Sequence, residues 1–188
     1  MKRNMTNVEI IERTARFSDL QSMNVPIDRE LVPQDAMDVI FARNILPIIM
    51  EKSKNPFGDV GAIYGANGMA MNISVLPPNQ GPCLHAHNET YETFFVLEGS
   101  ITFHVGEPGS EEHVTLERWD TFSCPPGAYR GFNNVSDSKQ AVLLTVINGD
   151  PNVRDDVNVP PAITDYLRDT YGEAVLKEFR QVVALPDA

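Results

Sequence analysis

"PCLHAHNETYETFFVLEG", residues 82–99, decides how the rest of the chain reads. His85 and His87 stand two apart, Glu92 follows, and an apolar alternation runs on to Gly99. On a β-strand the side-chain period is two, so the two imidazoles project from one face and can converge on one ion. Glu92 has the opposite parity. It joins them only if "NETY" bends the chain and returns it on the neighbouring strand, and Asn88 and Glu89 tolerate such a turn. Glu92, Phe94 and Val96 then share one side, Gly99 turns the chain, and Ile101, Phe103 and Val105 continue the apolar face. A carboxylate that opens an apolar face needs a partner, because burying an unpaired charge is costly. A metal ion or an arginine supplies one. Two histidines and a carboxylate with open coordination positions suit non-haem iron and oxygen chemistry, and Zn, Mn and Ni are chemically compatible.

Outward from this stretch, residues 61–150 read as short strands between turn signals: "MAMNISVLPP", "ETFFVLEG", "SITFHVGEPG", "EEHVTLERWD", "TFSCPPG", "YRGFNN" and "KQAVLLTVING". Such a run forms an antiparallel sandwich or barrel rather than a parallel α/β sheet. Residues 1–60 read as an N-terminal extension packing on the barrel or on a partner subunit. Within it Asp35 to Ala42 predicts a short helix after Pro33, with Pro47 and Pro56 interrupting anything longer. After "GDPNVRDDVNVPP", residues 151–188 read as a C-terminal helical extension. Ile163, Tyr166, Leu167, Thr170, Tyr171, Ala174, Val175 and Phe179 recur at helical spacing, and Gly172 splits or kinks the helix. This segment is expected to cover a barrel face or a subunit boundary.

A chain of 188 residues holds one domain with decorated ends. Its 26 acidic and 15 basic residues give a net charge of −11. That balance repels polyanions and supplies no counterion release, so neither nucleic acid nor an anionic membrane surface is an expected partner. No basic flank or DNA-binding helix pair accompanies the strands. Cys83 and Cys124 form no CxxC pair and read as cytosolic thiols. "NILPIIM" at 44–50 is far too short to cross a bilayer, and the opening residues lack an apolar signal core, so a cytoplasmic location is expected.

The His85, His87, Glu92 and Gly99 spacing resembles the first motif of the cupin superfamily. That pattern usually opens with a glycine six residues before the first histidine, where this chain has Asn79. The second cupin motif resembles "WDTFSCPPGAYRGFNN" at 119–134: Asp120, Pro125, Gly127 and Asn134 match, and Trp119 stands in place of a turn glycine. The resemblance covers roughly residues 70–148 and implies an all-β fold. This is a double-stranded β-helix, the cupin jelly-roll barrel, with short peripheral helices at both ends and a metal pocket inside. It also implies a divalent metal ion, Fe(II) foremost, a small-molecule substrate and a homodimer.

The family's fourth ligand, usually histidine, aligns with Arg130. A guanidinium stays protonated and offers no accessible lone pair, so it cannot replace a neutral histidine. Three arrangements follow. His85, His87 and Glu92 hold the metal while Arg130 binds a substrate carboxylate or enolate; or Arg130 pairs with Glu92 and no metal binds; or another residue supplies the missing ligand. The first makes the protein a metal-dependent dioxygenase or related oxidoreductase on a small anionic substrate. Arg130 then balances charge, and Glu92 serves as ligand or, when displaced, as base. The second makes it a non-catalytic, small-molecule-binding or regulatory cupin. His104 has opposite parity to Phe103 and Val105 and points away, His113 reads as exposed, and both cysteines read as ordinary buried residues. Tyr91, Tyr129, Phe94, Phe103, Phe122, Phe132 and Met71 are candidate apolar walls.

Overall fold

The computed structural model describes residues 3–51, 60–65, 67–149 and 156–186. Its strands are β1 (Ile45–Met50), β2 (Ile63–Tyr64), β3 (Met69–Leu76), β4 (Ala86–His87), β5 (Tyr91–Glu98) and β6 (Ile101–Val105). They continue with β7 (Glu112–Leu116), β8 (Thr121–Cys124), β9 (Arg130–Asn134), β10 (Ala141–Asn148) and β11 (Val157–Asn158). Helices whose full bounds are described are α1 (Asn7–Glu12), α2 (Gln34–Ile40), α3 (Pro161–Tyr171) and α4 (Glu173–Phe179).

One six-stranded sheet runs β2-β1-β3-β10-β5-β8 and faces a three-stranded sheet, β7-β6-β9. A short β11-β4 pair continues the second layer, joined to β9 by a bridge between His85 and Arg130. All these pairings are antiparallel except β1 with β2. The alternation in "YETFFVLE" behaves as its period demands. Glu92, Phe94 and Val96 are buried, while Tyr91 and Phe95 are exposed. Phe94 packs on Phe103, Phe122 and Phe132 in an aromatic cluster between the layers, closed by Val96, Ile101, Leu143 and Leu76.

The two places where the motif glycines are absent keep the glycine-type backbone. Asn79 has φ 58° and Trp119 has φ 78°. Asparagine tolerates this left-handed conformation, whereas tryptophan holds it at some cost in strain. Asn134, the motif's closing residue, is fully buried; its amide donates to the Leu76 and Lys139 carbonyls and its oxygen accepts from the Ser136 N–H.

The ends differ from the sequence reading in two ways. "ILPIIM" is strand β1 within the six-stranded sheet, although it lies inside the zone read as preceding the barrel. Pro47 reads as a breaker, but it sits at a β-bulge against β3, where proline's missing N–H is tolerated. Pro56 and residues 150–155 of the turn-rich stretch lie outside the described residues. The predicted helix after Pro33 forms as α2, and the C-terminal pattern divides at Gly172, whose φ is 88°. Thr164, Leu167, Val175, Leu176 and Phe179 are buried, while Tyr166 and Ala174 face outward. Both ends share a second core: Val32, Ala36, Met37 and Ile40 pack with Val159, Leu167, Leu176, Phe179 and Val183. Helix α2 and the C-terminal helices therefore form one helical layer against the β-sandwich. Among the described residues no helix is long and apolar enough to cross a membrane.

Candidate metal centre

His85 lies just ahead of β4 and is pinned to β9. Its N–H donates to the Arg130 carbonyl at 2.9 Å, and the Arg130 N–H returns to its carbonyl at 2.8 Å. His87 lies in β4, opposite Val157 of β11. The two rings share a side, with centroids 5.5 Å apart. Glu92 arrives by a different route from the one the sequence suggests. Through Asn88–Thr90 the chain crosses to the other sheet, where Glu92 pairs with Cys124 of β8 and Ile147 of β10. One ligand atom from each of His85, His87 and Glu92 lies within 4.8 Å of the others.

Hydrogen bonding assigns both tautomers. His85 Nδ1 is 2.8 Å from the Cys83 carbonyl oxygen, which can only accept, so Nδ1 carries the proton and Nε2 keeps its lone pair. His87 Nδ1 is 2.7 Å from Asp156 Oδ2 and 2.8 Å from Thr90 Oγ1. The Thr90 hydroxyl donates its own hydrogen to Asp156 Oδ2 at 2.6 Å, so both oxygens are acceptors toward the ring. His87 Nδ1 thus also carries a hydrogen, and in the neutral ring this leaves the lone pair on Nε2, 3.9 Å from Glu92 Oε2.

Arg130 is 1% exposed. Its Nε donates to Glu92 Oε2 at 3.1 Å, Nη2 donates to the same oxygen, and Nη1 donates to the His85 carbonyl at 3.3 Å. The guanidinium therefore stands behind the carboxylate and is not part of the cavity wall. Burial alone would raise the Glu92 pKa, but the Arg130 charge outweighs it and holds the carboxyl below its ordinary value. Burial, with the Arg130 charge, pushes His85 down to about 3. At neutral pH the cluster holds an ionised carboxylate and a neutral His85.

The cluster opens on a cavity of about 200 Å³. Its wall is mostly apolar, with Met23, Met50, Met71, Phe132 and Ile147 prominent and Asn72, Ser74 and Thr145 as polar points. No lysine or arginine is among the described lining residues. The donor set fits a divalent cation: imidazole Nε2 lone pairs and one carboxylate, converging beside a cavity that leaves room for further ligands. His85, His87 and Glu92 would hold it.

The other candidates lie elsewhere. His104 bonds Asn133 at 2.7 Å and contacts His113 on the outer face of β6 and β7, as its parity requires. Cys83 lines the cavity, but burial pushes its thiol up to about 12, and Cys124 contacts the Pro125 and Ala128 carbonyls. Both cysteines are free. The Tyr129 hydroxyl accepts from Asn158. Of the candidate walls, Phe132 and Met71 line the cavity, whereas Phe94 and Phe103 belong to the sandwich core. Asp156 and Thr90 are functional neighbours that sequence reasoning does not identify, since the His87 contact with Asp156 spans 69 positions and follows no spacing rule.

Comparison with known proteins agrees with this architecture. The family model for the cupin domain matches residues 72–147. The structure of the DMSP lyase DddQ from Ruegeria pomeroyi is similar at a TM-score of 0.52 and 18% identity, covering 72% of this chain and 59% of that one. The TT1209 protein from Thermus thermophilus is 29% identical, with a TM-score of 0.42, over 47% of this chain and 80% of that one. A search of curated proteins found no match. Residues 72–147 of this chain form a cupin domain.

Proposed function

We propose that the protein is a mononuclear metal-dependent enzyme, an oxygenase or related oxidoreductase, acting on a small organic molecule with an anionic oxygen-bearing end and an apolar body. One observation carries this reading: both imidazoles are held as Nδ1–H tautomers with Nε2 turned toward an ionised carboxylate at the wall of an apolar cavity. Fe(II) is the proposed ion, and when bound it would supply Lewis acidity and redox chemistry with open positions for substrate oxygens. The chain's own residues set the charge around it. Arg130 cancels Glu92 from behind, so the charge of a dication is left to attract an anion although no cationic side chain lines the cavity. Met23, Met50, Met71 and Phe132 would pack the substrate's apolar part and exclude water, and Asn72, Ser74 and Thr145 offer hydrogen bonds that orient it.

We also propose a homodimer. Ile73, Val75, Phe95, Leu144 and Val146 have the parity opposite to the buried positions of β3, β5 and β10, so the six-stranded sheet presents an apolar outer face. Light scattering after size exclusion should give twice the chain mass, and a monomer alone would remove this part of the proposal.

The binding-module reading has its own observation. Glu92 already has a cation in Arg130, so the barrel satisfies its buried carboxylate without metal. The test is anaerobic loading with Fe(II), then a screen of small organic acids with oxygen uptake and product formation recorded. Oxygen consumption coupled to product supports the oxygenase. Product without oxygen consumption moves the reaction to an isomerase or lyase class. Ligand binding without turnover overturns the enzyme reading.

A further inference from the structure

Each imidazole bonds a group whose own chain is tied to the helical layer, and that layer lies outside the cupin match. Asp156 follows the barrel in sequence, immediately ahead of β11, and is 4% exposed. Its Oδ2 accepts from His87 Nδ1 and Thr90 Oγ1. Its Oδ1 accepts from the Glu89 N–H at 2.6 Å and the Thr90 N–H at 3.2 Å. Its carbonyl accepts from the Asn88 N–H at 2.7 Å. Three consecutive N–H groups of the loop joining the histidine strand to Glu92 thus end on this one residue. Two residues on, Asn158 pairs with Ala86, and Val159 enters the helical core. On the other histidine the link has the same form. The Cys83 carbonyl that accepts from His85 belongs to a residue whose N–H donates to the Val39 carbonyl of α2 at 2.7 Å.

We propose that Asp156 is the positioning residue of the centre, and that it links metal affinity to the docking of the C-terminal segment on the barrel. The physical case is the acceptor count. A carboxylate accepts from all four side-chain and loop donors and offers His87 no hydrogen, so of the two neutral tautomers only the one with a bare Nε2 satisfies the group. An amide cannot do this, because its NH₂ would face loop N–H groups or the ring N–H. Lose the carboxylate, and His87 is free to turn or to carry its proton on Nε2, the atom a metal needs. Linkage follows: an ion that binds only the docked arrangement must stabilise it.

This inference rests on the metal-centre reading, and the test separates the two. Co(II) is titrated into the metal-free full-length wild type and Asp156→Asn, following visible absorption and competition against a chelator, with circular dichroism confirming fold. Asp156→Asn should bind Co(II) about 10- to 100-fold more weakly and with an altered absorption band. In wild type, Co(II) should slow amide exchange at Asn88–Thr90 and at 156–159. Equal affinity and spectrum in folded Asp156→Asn would overturn the positioning role while leaving the centre intact. If that variant fails to fold, the wild-type exchange decides: tight Co(II) binding with no added protection at 156–159 overturns the linkage. No Co(II) binding by wild type overturns the metal reading and this inference with it.

Discussion

Replacing Arg130 with methionine removes a cation from a nearly dry site and leaves Glu92 facing two imidazoles. Arg130 is 1% exposed and Glu92 is 8% exposed, so little water reaches the remaining charge. Removing one member of such a buried pair typically costs about 3–5 kcal/mol, because the survivor keeps its desolvation penalty without compensation. For a chain of this size that corresponds to a fall of roughly 6–20 °C in melting temperature. The assay is urea unfolding of metal-free protein at neutral pH, with the midpoint falling at unchanged m-value. Glu92→Gln with Arg130→Met should cost less than the sum of the single changes by about 1–3 kcal/mol, since the orphaned charge is gone. Co(II) should also raise the melting temperature of Arg130→Met more than that of wild type, because the ion replaces the lost cation. A metal-free Arg130→Met within about 0.5 kcal/mol of wild type, the range of an ordinary surface change, would refute the reasoning.

Two further outcomes follow. His85 titrates near 3 in the folded chain against 6.5 ordinarily, so the stability tied to its neutral form is complete above pH 6.5 and drains as pH falls toward 3. Asp156, held at about 2 against 3.8, adds a second loss only below pH 3.8. Urea midpoints of metal-free protein should therefore decline from pH 6.5 downward, and His85→Gln should flatten the slope between about pH 6 and 4; an unchanged slope would contradict the assignment. Gly81→Ala drives a Cβ into the Phe132 carbonyl oxygen, a backbone contact that cannot yield cheaply. It should cost about 3 kcal/mol by urea unfolding, and a neutral result would show that β9 and the Gly81 segment separate more easily than their packing implies.

The sandwich was readable because its strands carry their own periodicity. In "YETFFVLE" the alternation alone places Glu92, Phe94 and Val96 inside, and the parity of His104 sends it outward. The histidine pair was readable for the same reason: period two needs no knowledge of the partner strand. Strand β1 was not, because Pro47 reads as an interruption when its bulge partner on β3 is unknown. Arg130 could be named but not aimed, since its pairing with Glu92 depends on which sheet each strand joins. Asp156 was invisible. A carboxylate in a turn-rich stretch with other acids carries no local mark of the histidine it meets 69 positions away.

The central claim is that His85, His87 and Glu92 hold a divalent ion beside Arg130. Metal content by inductively coupled plasma mass spectrometry, on untagged wild type and on His85→Ala/His87→Ala, tests it most directly. A near-stoichiometric iron, manganese, nickel or zinc signal in wild type that disappears in the double variant is the result expected. Wild type that stays metal-free after anaerobic loading with Fe(II) or Zn(II) would contradict it, leaving Arg130 as the permanent partner of Glu92 in a barrel that binds without metal.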